Sequence, residues 1–108
     1  MTAGGRRWLT AIAAVLFFGK LVGAAIEPGT LEAAQVLAVN PQLQLVVLNV
    51  GQQQGVRVGM PFLVMRGDRL VGRVRVVEAR RQVCGAVIEQ VEQGVTPAAG
   101  DAARAARS

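Results

Sequence analysis

Histidine and tyrosine are absent from the 108 residues, and tryptophan, cysteine and lysine occur once each. Without histidine there is no imidazole base and no histidine metal ligand, which removes most nucleophile, general-base and metal-centre arrangements before geometry is considered. The single cysteine, Cys84, cannot form a disulfide within the chain. In an oxidising compartment it is either a small buried hydrophobe, the commoner fate, or the anchor of an intermolecular bridge. The three phenylalanines are Phe17, Phe18 and Phe62, and two of them fall in one N-terminal apolar run. The rest of the chain therefore lacks the stacking platform with which small barrels bind single-stranded nucleic acid. Acids are few. Asp68 falls in a turn and Glu78, Glu89 and Glu92 read as outward-facing, so no carboxylate pair with hydrolytic geometry is assembled. Gly51 to Gly59 is glycine-rich but lacks the Lys-Ser/Thr ending and following helix of a phosphate loop. These absences leave no catalytic, cofactor-binding or metal residues to nominate, and the expectation is a protein that is not an enzyme.

Charge is present, and its distribution matters more than its sum. The formal net charge is +5, but Arg6, Arg7 and Lys20 lie near the N-terminus, and residues 25–108 hold nine arginines against seven acids, a net of +2. Nucleic acid is accordingly a poor candidate partner. Arg6-Arg7 precede the apolar run Trp8 to Phe18, followed by Gly19, Lys20 and the small residues Gly23-Ala24-Ala25. A charged start, a short apolar centre and a small-residue end are the parts of a secretory signal, with cleavage after Ala24 or Ala25. The alternative is an uncleaved membrane anchor: a spanning helix needs roughly 20 apolar residues, which Trp8 to Ile26 nearly supplies with Lys20 snorkelling to an interface. No cysteine directly follows the run, which argues against a lipoprotein. Residues 1–25 are thus read as signal, 26–33 as linker, 34–105 as the folded domain and 106–108 as tail, and the protein is expected to be exported to the periplasm.

The folded part reads as all-β. Pro61 to Met65 and Leu70 to Val77 are β-branched, apolar runs separated by Arg66-Gly67-Asp68-Arg69, the composition of a tight hairpin. Upstream, Gly51, Gly55 and Gly59 punctuate a polar loop that requires positive φ at more than one point. Ala34 to Val39 is a first strand, and Leu43 to Val50 a second whose apolar residues occupy both alternations, as in a strand covered on both sides or one in a small barrel. In the fourth strand Gly72, Val74 and Val76 alternate with Arg73 and Arg75, so valines face the core and arginines face solvent. The adjacent valines Val76-Val77 predict a β-bulge, and Gly72 a sharp bend. Cys84 to Val91 and a short segment near Asp101 to Arg104 complete a five- to six-stranded, closed or partly open barrel, with a small sandwich as the alternative, preceded by the N-terminal hydrophobic helix.

The spacing Asn49, Gly51, Gly55, Val56, Gly59, Met60, Pro61, Val64, followed by Leu70 to Val74, resembles the periplasmic β-barrel domain of the rod-shape scaffold family MreC. It resembles equally the C-terminal barrel of the flagellar assembly family FlgT. The resemblance covers residues 34 to about 104 and implies an interaction module with a structural or assembly role in the bacterial cell envelope. The coiled coil and second barrel of the first family and the extra N-terminal domains of the second are not expected within these 108 residues, so the resemblance carries over the barrel alone.

Arg66, Arg69, Arg73 and Arg75, with Arg80 and Arg81 close behind, are the candidate binding residues, because a hairpin gathers several of them on one surface. The competing reading is a solvated outer face, since strand surfaces must be polar, and the acids nearest in sequence are Asp68 and Glu78. The expected partner is an envelope protein, with a polyanion as alternative, and a membrane only if the N-terminal helix is retained. Processing is directly measurable: intact mass spectrometry of the native protein should find a chain beginning near Ala25 in the soluble periplasmic fraction, whereas a detergent-extracted chain retaining Met1 to Ala24 would establish the anchor.

Overall fold

The computed structural model describes residues 27–106. The segment read as signal or anchor, residues 1–25, lies outside the described residues. Six strands form: β1 Ala34–Asn40, β2 Leu45–Leu48, β3 Pro61–Arg66, β4 Arg69–Ala79, β5 Cys84–Val91 and β6 Ala102–Ala105, with one 3₁₀ turn at Gln52–Gln54. They close into a barrel in the order β1-β2-β5-β4-β3-β6, every neighbouring pair antiparallel. Of the two architectures left open by the sequence, the barrel is closed and has six strands.

Three connections are hairpins. β3 and β4 are joined by Gly67-Asp68 alone, and positive φ at Gly67 (62°) without positive φ at Asp68 matches a type II′ turn, whose twist suits paired strands. The other two connections are crossovers. In the ring order β2 lies opposite β3, and β5 lies opposite β6, so residues 49–60 must cross one end of the barrel and residues 92–101 the other. Each crossing plugs its end with apolar side chains: Val50 and Val56 belong to the core at the first, while Val95 packs on the core and Pro97 is buried at the second.

Alternation fills the interior. Phe62 and Val64 of β3, Val74 and Val76 of β4, Val46 and Leu48 of β2, and Cys84 and Ala86 of β5 form one cluster, and Val74 is fully buried between the half-buried Arg73 and Arg75. The register slips between Val76 and Glu78, leaving Val77 unpaired and exposed, which is the anticipated bulge. A second slip leaves Val71 without a partner across β3, and a third does the same for Glu89 across β4. Such bulges add twist, which a sheet of six short strands needs in order to close.

Two expectations need correction. The second strand is Leu45–Leu48, shorter than Leu43 to Val50, because both ends are pulled out of the ladder. At one end Gln44 takes φ 55° and its nitrogen donates to the Pro41 carbonyl (3.2 Å), while Leu43 N donates to Asn40 Oδ1 (3.2 Å). At the other, Asn49 turns its side chain inward: Oδ1 accepts from Gln35 N (2.7 Å) and Nδ2 donates to the Glu27 carbonyl (3.0 Å). The segment 27–33 is likewise more than a linker. Gly29 N donates to the Asn49 carbonyl (2.9 Å), Ala105 N donates to the Leu31 carbonyl (2.7 Å), and Leu31 packs on the core.

The loop glycines divide by physical cause. Gly55 (φ 95°) and Gly59 (φ 93°) supply left-handed backbone, and a Cβ on Gly59 would meet nothing within 4 Å. Gly51 has extended backbone (φ −149°), yet a Cβ there would overlap the Arg80 carbonyl oxygen and lie 2.7 Å from Val83 N. Gly51→Ala is therefore expected to destabilise the barrel by about 2–3 kcal/mol, as overpacking against backbone does, and Gly59→Ala by only about 1 kcal/mol, the cost of left-handed φ in open space. Urea unfolding of both variants checks the order, and a larger loss at Gly59 would contradict it.

Candidate binding surface on the β3–β4 hairpin

The candidate arginines occupy one hairpin but do not act as one patch. Arg66, the last residue of β3, extends its guanidinium to the second crossover. Its Nε donates to Asp101 Oδ1 (2.8 Å), and Nη2 donates to Asp101 Oδ2 (2.8 Å) and to the Thr96 carbonyl (2.9 Å). Asp101 Oδ2 also accepts from Ala98 N (2.9 Å), so a carboxylate only 6% exposed is saturated from two sides. The Arg66 hydrogen bonds hold the Asp101 carboxyl below the usual carboxylate range, the Ala98 N–H adding to the effect while burial opposes it. Arg66 is a clamp on the crossover, its side chain half exposed.

Arg73 and Arg75 point away from the core, as alternation requires, and share Glu89. Arg75 Nε donates to Glu89 Oε2 (2.7 Å) and Nη1 donates to the Gly59 carbonyl (2.7 Å), while Arg73 Nε stands 3.9 Å from Glu89 Oε1. Arg75 thereby ties the first crossover to the sheet. Arg80 pairs with Glu78 (2.8 Å). Arg69, opposite Arg66 at the start of β4, is exposed, and its side chain has no hydrogen-bond or ion-pair partner among the described residues. A further cation joins the outer face unannounced by the sequence: Arg104 of β6 lies opposite Leu63, which lies opposite Arg73.

Of the acids nearest in sequence, Glu78 pairs with Arg80, but the ion pairs of Arg66, Arg73 and Arg75 go to other acids. Glu89 and Asp101 neutralise much of the surface, reaching it across β5 and the second crossover. Asp101 carries a signal that sequence reading passes over. It is the only acid after Glu92, set among alanines directly after Gly100 (φ 96°).

Of the glycines nominated as turn residues, Gly51, Gly55 and Gly59 lie in the first crossover, whereas Gly72 lies within β4 and not in a turn. Gly67 forms the hairpin turn, and Gly72 is buried where β4 passes β5, so closely that a Cβ would overlap the Gln90 carbonyl oxygen. Cys84 is fully buried within the core, and desolvation pushes its thiol up to about 12, a backbone hydrogen bond with Leu48 opposing. Such a thiol is poorly reactive. Among the described residues no group of three or more acids or cysteines converges as a metal set, and no helix is long and apolar enough to cross a membrane. Set against known proteins, the chain matches no family model, no curated protein and no solved structure.

The Asp101 clamp has a pH signature of definite sign. A carboxyl held below its unfolded range adds stability that is present above the unfolded pKa of about 4 and is lost as pH falls through the lower, folded value. Asp101→Asn should cost about 1–2 kcal/mol at pH 7, discounted for the half-exposed partner. The gap between native and variant urea midpoints should narrow as pH falls below about 4. A gap unchanged at about pH 3 would show that the ionised pair contributes nothing.

Proposed function

We propose that the chain is a non-enzymatic, exported β-barrel module with a structural or assembly role in the bacterial cell envelope, binding another envelope component, as its resemblance to the MreC and FlgT barrels suggests. The observation that carries this reading is the filled barrel. Phe62 and the core valines occupy the interior, and the crossovers plug both ends, so what the domain offers to other molecules is its outer surface. The N-terminal sequence, with Arg6-Arg7, a short apolar run and small residues, supports export.

The choice between a protein partner and a polyanion follows from where the arginines are spent. Polyanion binding draws on several uncommitted cations. Here Arg66 is engaged by Asp101 and Thr96, and Arg75 by Glu89 and Gly59, which favours a protein. Capture from envelope extracts tests the reading. An envelope protein should be retained with little loss between about 50 and 200 mM salt, whereas phosphate polymers released steeply over that range would establish the polyanion alternative.

The same assay locates the surface. Arg73→Ser with Arg75→Ser should leave the barrel folded, since exposed ion pairs contribute only about 0–1 kcal/mol. Val74→Asp should unfold it, because an unpaired carboxylate in the core costs several kcal/mol, of the order of the whole stability of a small domain (about 5 kcal/mol). Retention of the partner by the folded double variant would place the contact away from these two side chains, and its loss would place it on them.

A further inference from the structure

Where the hairpin end faces the second crossover, the surface opens into a groove of about 270 Å³. It is lined on one side by Arg69, Leu70 and Val71 and on the other by Gln93, Val95 and Thr96, with Arg66 and Gly94 also contributing. Its volume falls below the roughly 300–1,000 Å³ of small-molecule pockets and suits one or two side chains of a docked segment.

The chemistry of the lining is one-sided. None of the lining residues is acidic, and Arg69 carries a guanidinium without a partner among the described residues. Arg66 donates from Nε and Nη2 to Asp101 and Thr96, and its Nη1 has no acceptor among them. Beside these donors is apolar surface. Leu70 is 40% exposed and Val95 half-buried, and Val91, paired with Gly72 at the same end of the barrel, is 45% exposed. A phosphate polymer would leave this apolar surface wet, and a purely apolar segment would leave the guanidinium unanswered.

We propose that this groove docks a protein segment bearing a carboxylate next to an apolar side chain, the carboxylate on Arg69 and the apolar group against Leu70 and Val95. It rests on the reading of the barrel as a protein-binding module and names the chemistry of the partner. The clamp gives the site its rigidity: Arg66 to Asp101 and Thr96 fixes the crossover, and Glu92 N to the Val71 carbonyl (2.9 Å) fixes its start, so the groove is formed before a ligand arrives.

The test titrates the isotope-labelled full chain with a capped peptide holding leucine beside glutamate, with its glutamine counterpart, and with inorganic polyphosphate. The glutamate peptide is expected to shift the amide signals of Leu70, Gly94 and Val95 and to bind roughly tenfold more tightly than the glutamine peptide, as a charge-assisted hydrogen bond does. Arg69→Ser should abolish that preference, and Arg81→Ser, exposed on the β4–β5 turn, should retain it. Equal affinity for the two peptides, or signals that move only with polyphosphate, would overturn the proposal. So would an envelope protein captured equally by the native and Arg69→Ser chains, an outcome that leaves the proposed function standing.

Discussion

A sheet can close on itself only if its first and last strands meet, and here they meet over two residue pairs, Ala34 with Ala103 and Gln35 with Ala102. So short a seam needs support from outside the ladder. Val36 N donates to the Asp101 carbonyl and Gly100 N to the Val36 carbonyl, both at 2.8 Å, extending the seam into the second crossover. The Asp101 side chain then fastens that crossover to β3 through Arg66. One residue thus serves both seam and plug, its carbonyl toward β1 and its carboxylate toward Arg66. Closure removes the exposed edges that a six-stranded sheet would otherwise present.

The crossovers face the matching problem at either end, since backbone drawn across a barrel mouth must find partners outside the strands. The first finds them on the β4–β5 turn, where Gln52 N and Gln53 N donate to the carbonyls of Arg80 (2.7 Å) and Arg81 (2.9 Å). That approach is what excludes a side chain at Gly51. Gly59 N donates to the Val76 carbonyl (2.8 Å), and Arg75 returns a bond to the Gly59 carbonyl. Arginines that look in sequence like a ligand-seeking patch are in good part the fasteners of the two plugs.

The division between what could and could not be read follows contact range. The hairpin, the alternation of Arg73, Val74 and Arg75, and the Val76-Val77 bulge rest on nearest-neighbour chemistry and were legible. The partners of the arginines were not: Asp101 lies far along the chain from Arg66, and Glu89 reaches Arg73 and Arg75 only through strand pairing. Gly51 was read as a turn residue, but its requirement comes from a remote carbonyl. The vacant guanidinium of Arg69 emerges only by subtraction, once Arg66, Arg73 and Arg75 on the same hairpin have been assigned their acids. The processing of residues 1–25 stays a matter of sequence pattern.

The two diametric crossovers also set the order in which the molecule is able to form. β3, β4 and β5 are consecutive hairpins and can pair as the chain grows, but β6, the last strand, sits between β3 and β1. Until Ala105 has left the ribosome, β1 and β3 each keep an open edge, and the second mouth is unplugged. Non-local pairing of this kind forms slowly, because the loop-closure entropy must be met before the contacts reward it. The barrel is therefore held open until its sixth strand has been made, and up to that point the chain can still be drawn through a narrow opening.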